Sequence, residues 1–369
     1  MASVSRFLTS RWGPIFTGLA AGVLAPVLVK LGNPGNMGIS VSCFSRDIAG
    51  ALGLHSNSEG QYIRPEIIGF VLGALIAALI FREFKPRTGS APLMRFLLGV
   101  FAAFGMLVFM GCPWRAYLRL AGGDWNAIFG ILGLVAGIGI GIVFLRRGVS
   151  LGRSHPAPKA LGWVLPIIMV TLLVLLLAAP QFGRDANDNP TGPIFFSTTT
   201  GPASQHAPII ISLVVALFIG FLAQRSRFCT VAAVRDILWL RNSHLLNGLL
   251  AFIGAAFITN LMLGQFHPGF ADQPLALTNE WWNFGSMAMA GLAFTLAGGC
   301  PARQLFLSGE GDADAAMFVI GMIIGAGFAQ NYNIATCFCG GMSAFGPAAV
   351  ITGLVICLIV GLVMREKEA

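Results

Sequence analysis

Cysteine, proline and arginine recur in one short arrangement, Gly111-Cys112-Pro113 with Arg115 and Gly299-Cys300-Pro301 with Arg303. The copies align without a gap at an offset of 188 residues, and Gly123, Asp124 and Ala127 match Gly311, Asp312 and Ala315 as well. Proline suits the first position of a helix, where its missing N–H has no intrahelical partner. Cys112 and Cys300 are therefore expected at the N-cap of a short helix. Free N–H groups and the helix dipole favour an anion there. The same field makes a thiol a better nucleophile and hydrogen-bonding partner. Arg115 and Arg303, one turn on, add positive charge. Asp124 and Asp312 stand just before the next apolar run, where an N-cap acceptor is expected. The chemistry on offer is capture of a small anion beside a soft sulfur.

Two further cysteines precede an Arg-Asp-Ile triplet: Cys43 before Arg46-Asp47-Ile48, and Cys229 before Arg235-Asp236-Ile237. The spacing differs by three residues, so this match is looser than the first. The Arg-Asp pairs read as structural ion pairs. Cys337 and Cys339 flank Phe338 and form a further candidate pair, redox or metal-binding, although two ligands alone do not make a metal site. Cys357 reads as an apolar filler. Seven cysteines, several beside or inside apolar runs, speak against a disulfide framework. No histidine has a metal-ligand spacing to another, and neither a metal nor a cofactor is expected. Asp47 and Asp236 are the intramembrane carboxylates that read as proton carriers. A nucleotide-binding P-loop is absent.

The elements that must position these residues are membrane helices. The chain is 56% hydrophobic and 10% charged, with 47 glycines among 369 residues, against about 25% charged in a soluble domain. Its apolar runs approach the roughly 20 residues that cross a bilayer as a helix, and they lack the period-two alternation of outer-membrane strands. The fold class expected is an all-α integral membrane protein. Ten spans are read at about 13–31, 64–82, 92–111, 125–145, 161–180, 207–223, 245–264, 282–299, 314–330 and 345–364. The polar segment 181–206 divides a first repeat, 1–180, from a second, 207–369.

If the four cysteine segments dip in and return, 17 of the 23 Lys and Arg residues fall on one side and six on the other. The richer side, with both termini, is expected to be cytoplasmic. Arg6 and Arg11 precede a run expected to be kept as the first span rather than removed as a signal. The net charge of +8 reads as loop charge and not as nucleic-acid binding. The repeats begin five spans apart, an odd number, so the second copy is inverted. Cys43 and Cys112 would then dip in from outside, and Cys229 and Cys300 from inside. Inverted repeats whose broken segments meet at the midplane are a recurrent transporter plan.

Ser42-Cys43-Phe44, Gly111-Cys112-Pro113, Phe228-Cys229-Thr230 and Gly298-Gly299-Cys300-Pro301, in this order over nearly the whole chain, resemble the YeeE/YedE family of sulfur- and selenium-related membrane transporters. The Gly-Cys-Pro-Trp-Arg and Gly-Cys-Pro-Ala-Arg forms look most like the YedE branch associated with selenium metabolism. The resemblance implies an hourglass-like protein of nine to ten transmembrane helices, with re-entrant cysteine loops meeting at a constriction. It also implies that path cysteines pass a sulfur anion along by S–H···S hydrogen bonds. Carried over, Cys43, Cys112, Cys229 and Cys300 line the path, where the thiosulfate pattern relies on three cysteines. Gly111, Pro113, Arg115, Gly299, Pro301 and Arg303 would support them. The expectation is a bacterial inner-membrane importer, not an enzyme, of a small selenium or sulfur species such as a thiosulfate-like anion, with a cytosolic sulfur-carrier (TusA-like) protein as a candidate partner. The rival is a membrane thiol redox or sulfur-transfer protein built on Cys337 and Cys339.

Overall fold

The computed structural model describes residues 2–178, 194–197 and 201–364. Most of the polar segment 181–206, with Arg184, lies outside the described residues, as do Arg365 and Lys367. The described residues form α1 Ala2–Thr9, α2 Trp12–Lys30, α3 Val41–Ala51, α4 Pro65–Ile80, α5 Pro92–Phe109, α6 Pro113–Ala121, α7 Asn126–Arg146 and α8 Lys159–Ala178. They continue with α9 Ile209–Ser226, α10 Thr230–Leu240, α11 His244–Leu263, α12 Glu280–Ala297, α13 Pro301–Gly309, α14 Ala313–Asn331 and α15 Gly346–Val363. A short two-stranded antiparallel sheet pairs Arg87–Thr88 with His155–Pro156.

Among the described residues, ten helical stretches are long and apolar enough to cross a membrane, five before residue 181 and five after it. The long helices α2, α4, α5, α7, α8, α9, α11, α12, α14 and α15 lie within a few residues of the ten expected spans; positions 179–180 of the fifth are outside the described residues. The four cysteine segments are not open loops. They are the short helices α3, α6, α10 and α13, which keeps their backbone N–H and C=O groups paired inside the bundle. Proline sets four of the helix starts, at Pro65, Pro92, Pro113 and Pro301.

In lipid, apolar surface gives helices little reason to associate, so close backbone approach at small residues matters more. The packing follows that rule twice over. α7 lies on α12 as α14 lies on α5, and α2 lies on α11 as α9 lies on α4. A Cβ added at Gly133 would run into the Phe284 carbonyl, and one at Gly321 into the Phe96 carbonyl. Residues 133 and 321, and 96 and 284, are related by the same 188-residue offset that aligns the cysteine motif. Such reciprocal contacts are the mark of a two-fold relation, here between the two halves of one chain. The halves interlock through their long helices and enclose α3, α6, α13 and the first turns of α10.

Candidate functional site

Each short helix places a sulfur at or near its first turn. Cys112 is the N-cap of α6 and Cys300 the N-cap of α13, each followed by proline at the first helical position, as expected. The glycine before each cysteine makes room for the arginine stem. A Cβ at Gly111 would lie 3.2 Å from Arg115 Cδ, and one at Gly299 3.1 Å from Arg303 Cγ. Cys43, Cys112, Cys229 and Cys300 are all buried thiols.

The looser pair is not equivalent. α3 and α10 are both 11 residues long, and their starts align Arg46-Asp47 with Arg235-Asp236. In that register Ser40 is the N-cap of α3 where Cys229 is the N-cap of α10, and Cys43 falls opposite Ala232. The repeated Arg-Asp-Ile triplet, and not the cysteine, marks the true correspondence. Both ion pairs form as expected: Arg46 to Asp47 at 2.7 Å, Arg235 to Asp236 at 2.9 Å.

Two of the thiols, Cys112 and Cys229, are held by amides of neighbouring elements. The Val41 N–H donates to Cys112 Sγ at 3.3 Å, so α3 starts against the sulfur that starts α6. In the second half the Cys300 N–H donates to Cys229 Sγ at 3.4 Å. Cys229 Sγ also accepts from Ala232 N–H, and Cys300 Sγ from Arg303 N–H, both at 3.4 Å. Cys229 and Cys300 are thus direct neighbours. Cys43 Sγ accepts from Arg115 Nη1 at 3.6 Å.

Between the two cysteine groups stands an aromatic core. Trp114, next to Pro113 and fully buried, packs on Phe70, Phe228, Phe252 and Phe306 with ring centroids 5.5–6.2 Å apart. Tyr117, one turn further along α6, is within electrostatic reach of Cys229 and Cys300. The short helix of the first half thus reaches across to the sulfurs of the second.

The two arginines of the motif differ. Arg115 is fully buried. It donates to the carbonyls of Asn36 at 3.3 Å, Pro274 at 3.3 Å and Leu275 at 3.1 Å, and to that of Met110. Among the described residues it has no carboxylate partner, so its charge is uncompensated. Arg303 lies 3.4 Å from Glu310, which also binds Arg227 at 2.8 Å. Glu310 occupies the motif position where the first copy has Gly122, a departure visible in the sequence and not read there. Asp124 differs too: it pairs with Arg119 at 2.6 Å and accepts from Asn126 N–H, whereas Asp312 is the expected N-cap of α14.

A cavity opens at each end of this column. One, of about 560 Å³, is lined by residues that include Glu59, Gln205, Pro274, Leu275 and Phe338. Arg115 holds the Pro274 and Leu275 carbonyls of its wall, and Arg64 those of Pro202 and Gln205. Phe338 lies over the Arg46 guanidinium at 4.4 Å. Cys337 and Cys339, both exposed, flank it and are joined as a disulfide, a single local bridge that the cysteine count did not suggest. The opposite cavity, of about 240 Å³, is lined by Glu83, Arg225, Arg227, Asp236 and His244 among others.

Against this geometry stand the similarities to known proteins. Residues 225–363 match the family described as "Sulphur transport". Over that segment the chain is similar to the sulphur transport family. A 70-residue stretch is also 34% identical to the fluoride-specific ion channel FluC 2 of Synechococcus sp. (strain CC9605), covering 19% of this chain. The chain spans about half, 52%, of the length of that curated relative. The sulphur transport segment contains Cys229, Cys300, Arg303, Cys337 and Cys339. Cys43, Cys112 and Arg115 lie outside it, and the 188-residue repeat ties Cys112 and Arg115 to it.

At the smaller cavity the sulphur transport segment meets the first half through Glu83. This carboxylate is bound by Gln224 at 2.9 Å, by Arg225, and by Arg227 at 3.0 Å. Partial burial pushes its pKa up, but the hydrogen bonds from Gln224 and Arg225 and the charge of Arg227 outweigh it and hold the group below its ordinary value. A depressed carboxylate stabilises the fold above its unfolded pKa and loses that contribution as pH falls through the folded one. The thermal midpoint of the native protein should exceed that of Glu83→Gln at neutral pH, and the two should converge below about pH 4. A gap that persists in acid would assign Glu83 another role.

Proposed function

We propose that this chain is an inner-membrane importer of small, soft sulfur or selenium anions, thiosulfate among them. The first repeat would be residues 1–180, the second 207–369, with 181–206 between them. The observation that carries this reading is the column of cysteine-capped helix starts on either side of one aromatic core, with Cys112 Sγ accepting from the Val41 N–H and Cys229 Sγ from the Cys300 N–H of another element. An anion in the larger cavity is drawn by Arg115, whose charge is paired with no carboxylate among the described residues. Its soft outer atom meets thiols, which are weak donors and weak acceptors. Weak contacts suit conduction, because a solute must leave as well as enter. Arg303, partly neutralised by Glu310, holds the anion less strongly than Arg115, which favours release toward the cavity of Arg225 and Arg227. The excess of Lys and Arg on that side supports its being cytoplasmic. The sulphur transport match and the stretch shared with a fluoride channel both support a non-enzymatic transporter. A cytosolic sulfur-carrier (TusA-like) protein would suit the basic inner mouth, and the Gly-Cys-Pro-Trp-Arg form keeps selenium species among the candidate solutes.

Uptake into proteoliposomes of labelled thiosulfate, selenite, sulfite and sulfate, each offered separately, tests this reading. A Cys112→Ala/Cys300→Ala variant, folded and inserted normally, should lose uptake of the preferred anion by about tenfold or more, the scale of one lost hydrogen bond of roughly 1.4 kcal/mol. Undiminished uptake would end the cysteine-path mechanism.

The exposed Cys337–Cys339 disulfide favours a second reading, thiol exchange at the outer mouth. A thiolate would attack one sulfur, forming a mixed disulfide and releasing the other as thiolate. Trapping such an adduct during turnover would support it; full uptake by Cys337→Ser/Cys339→Ser would set it aside.

A further inference from the structure

The transport path leaves a fully buried carboxylate unused. Glu66, in the first turn of α4, is fully buried. Its Oε1 accepts from Asn33 Nδ2 at 2.7 Å, and its Oε2 has no hydrogen-bond partner. No lysine or arginine among the described residues forms an ion pair with it. The two carboxylates expected from sequence to carry protons are committed elsewhere: Asp47 to Arg46 and Arg64, and Asp236 to Arg235. An ionisable side chain at membrane depth without a counter-ion is costly to keep unless it has a function.

The groups around Glu66 can be named. Arg64, just before α4, is already paired with Asp47 at 2.7 Å. Tyr62 lies within electrostatic reach of Glu66, with His206 stacked on its ring at 4.6 Å. Ser212 of α9 stands beside the carboxylate with its hydroxyl unpaired. None of these supplies a free positive charge to the carboxylate.

One stretch of chain joins Glu66 to the anion path. Asn33, held by Glu66, also donates to the Gly38 carbonyl at 2.9 Å and accepts from Ala207 N–H at 2.8 Å. Three residues on, the Asn36 carbonyl accepts from Arg115. At the end of the same stretch, Val41 N–H donates to Cys112. The loop that seats Glu66 is therefore the loop that positions Arg115 and Cys112.

We infer that Glu66 is a proton-binding site coupled to anion binding beside Arg115, an inference that rests on the transport reading above. A proton from water turns the carboxylate into a carboxylic acid and makes Oε2 a donor, which the Ser212 hydroxyl accepts. An anion arriving beside Arg115 adds negative charge in a region of low dielectric, where it repels an ionised Glu66 and tolerates a neutral one. Proton and anion therefore bind together, and each strengthens the other by the same factor.

The test uses the full chain in lipid nanodiscs. Infrared spectroscopy follows the carboxylic acid band with pH, with no anion present, and calorimetry measures thiosulfate, selenite and sulfite binding at pH 6 and pH 8. The expected result is a titrating band absent from Glu66→Gln, and an affinity for at least one anion roughly 5- to 100-fold higher at the lower pH in the native protein but flat in the variant. Asn33→Ala should keep the band and weaken the pH dependence, which separates coupling from a fold defect. Absence of the band, or an anion affinity indifferent to pH, overturns the inference and leaves the transport reading standing. Failure of the native protein to bind any of the three anions defeats the transport reading, and the coupling with it.

Discussion

Arg115→Met is expected to abolish anion uptake, while Arg303→Met leaves a measurable fraction. The two arginines occupy the same motif position, so the difference has to come from their surroundings. Arg115 is fully buried and bound to four carbonyls and the Cys43 sulfur, with no carboxylate among the described residues. Carbonyls stabilise the guanidinium without cancelling its charge, so the full attraction remains for a solute. Glu310 takes up part of the charge of Arg303. Hydrogen bonds to charged groups contribute about 1.5–3 kcal/mol, so losing Arg115 should weaken anion binding roughly 10- to 150-fold. Arg115→Lys should not rescue it, because one ammonium cannot reproduce a planar guanidinium that spans several carbonyls. The comparison is made by thiosulfate binding and uptake on protein shown to be monodisperse in detergent. Equal losses at the two positions would mean that Glu310 does not set the asymmetry.

Asp47→Asn should be the most damaging single change to the fold. Asp47 is the shared carboxylate of two guanidiniums, Arg46 and Arg64, each at 2.7 Å and each fully buried. Removing one partner from a buried ion pair costs about 3–5 kcal/mol, because the charge left behind is uncompensated. Here two such charges are left, softened by Phe338 over Arg46, by Phe44 and Tyr62 beside Arg64, and by the Pro202 and Gln205 carbonyls that Arg64 binds. Asp236→Asn, at the repeat-equivalent position, should cost under about 1 kcal/mol, since the Arg235–Asp236 pair is partly exposed and pairs in contact with solvent contribute little. Thermal unfolding in detergent decides between them. Similar midpoints for the two variants would show that burial of the first pair is not what makes it matter.

By itself the sequence determined the fold class, the ten spans and the N-cap positions of Cys112 and Cys300. These depend on local properties: apolar length against bilayer thickness, and proline's missing N–H. It also held the repeat, because Gly-Cys-Pro-x-Arg recurs without a gap. Tertiary structure decided what nearby residues do to one another. The charge of Arg115 persists and that of Arg303 is shared because Asn36, Pro274 and Leu275 come to the first and Glu310 to the second, and only Glu310 lies close in sequence to its partner. Cys43 and Cys229 looked equivalent through a shared triplet, yet the helix register opposes Ser40 to Cys229, since a helix start is set by where the chain turns as much as by residue type. Asp47 and Asp236 read as proton carriers because each stands in an apolar context. In space each has an arginine, whereas Glu66, fully buried, has none among the described residues. Burial and pairing are properties of the assembled bundle, in which Gly133 against Phe284 and Gly321 against Phe96 bring the two halves close enough to enclose them.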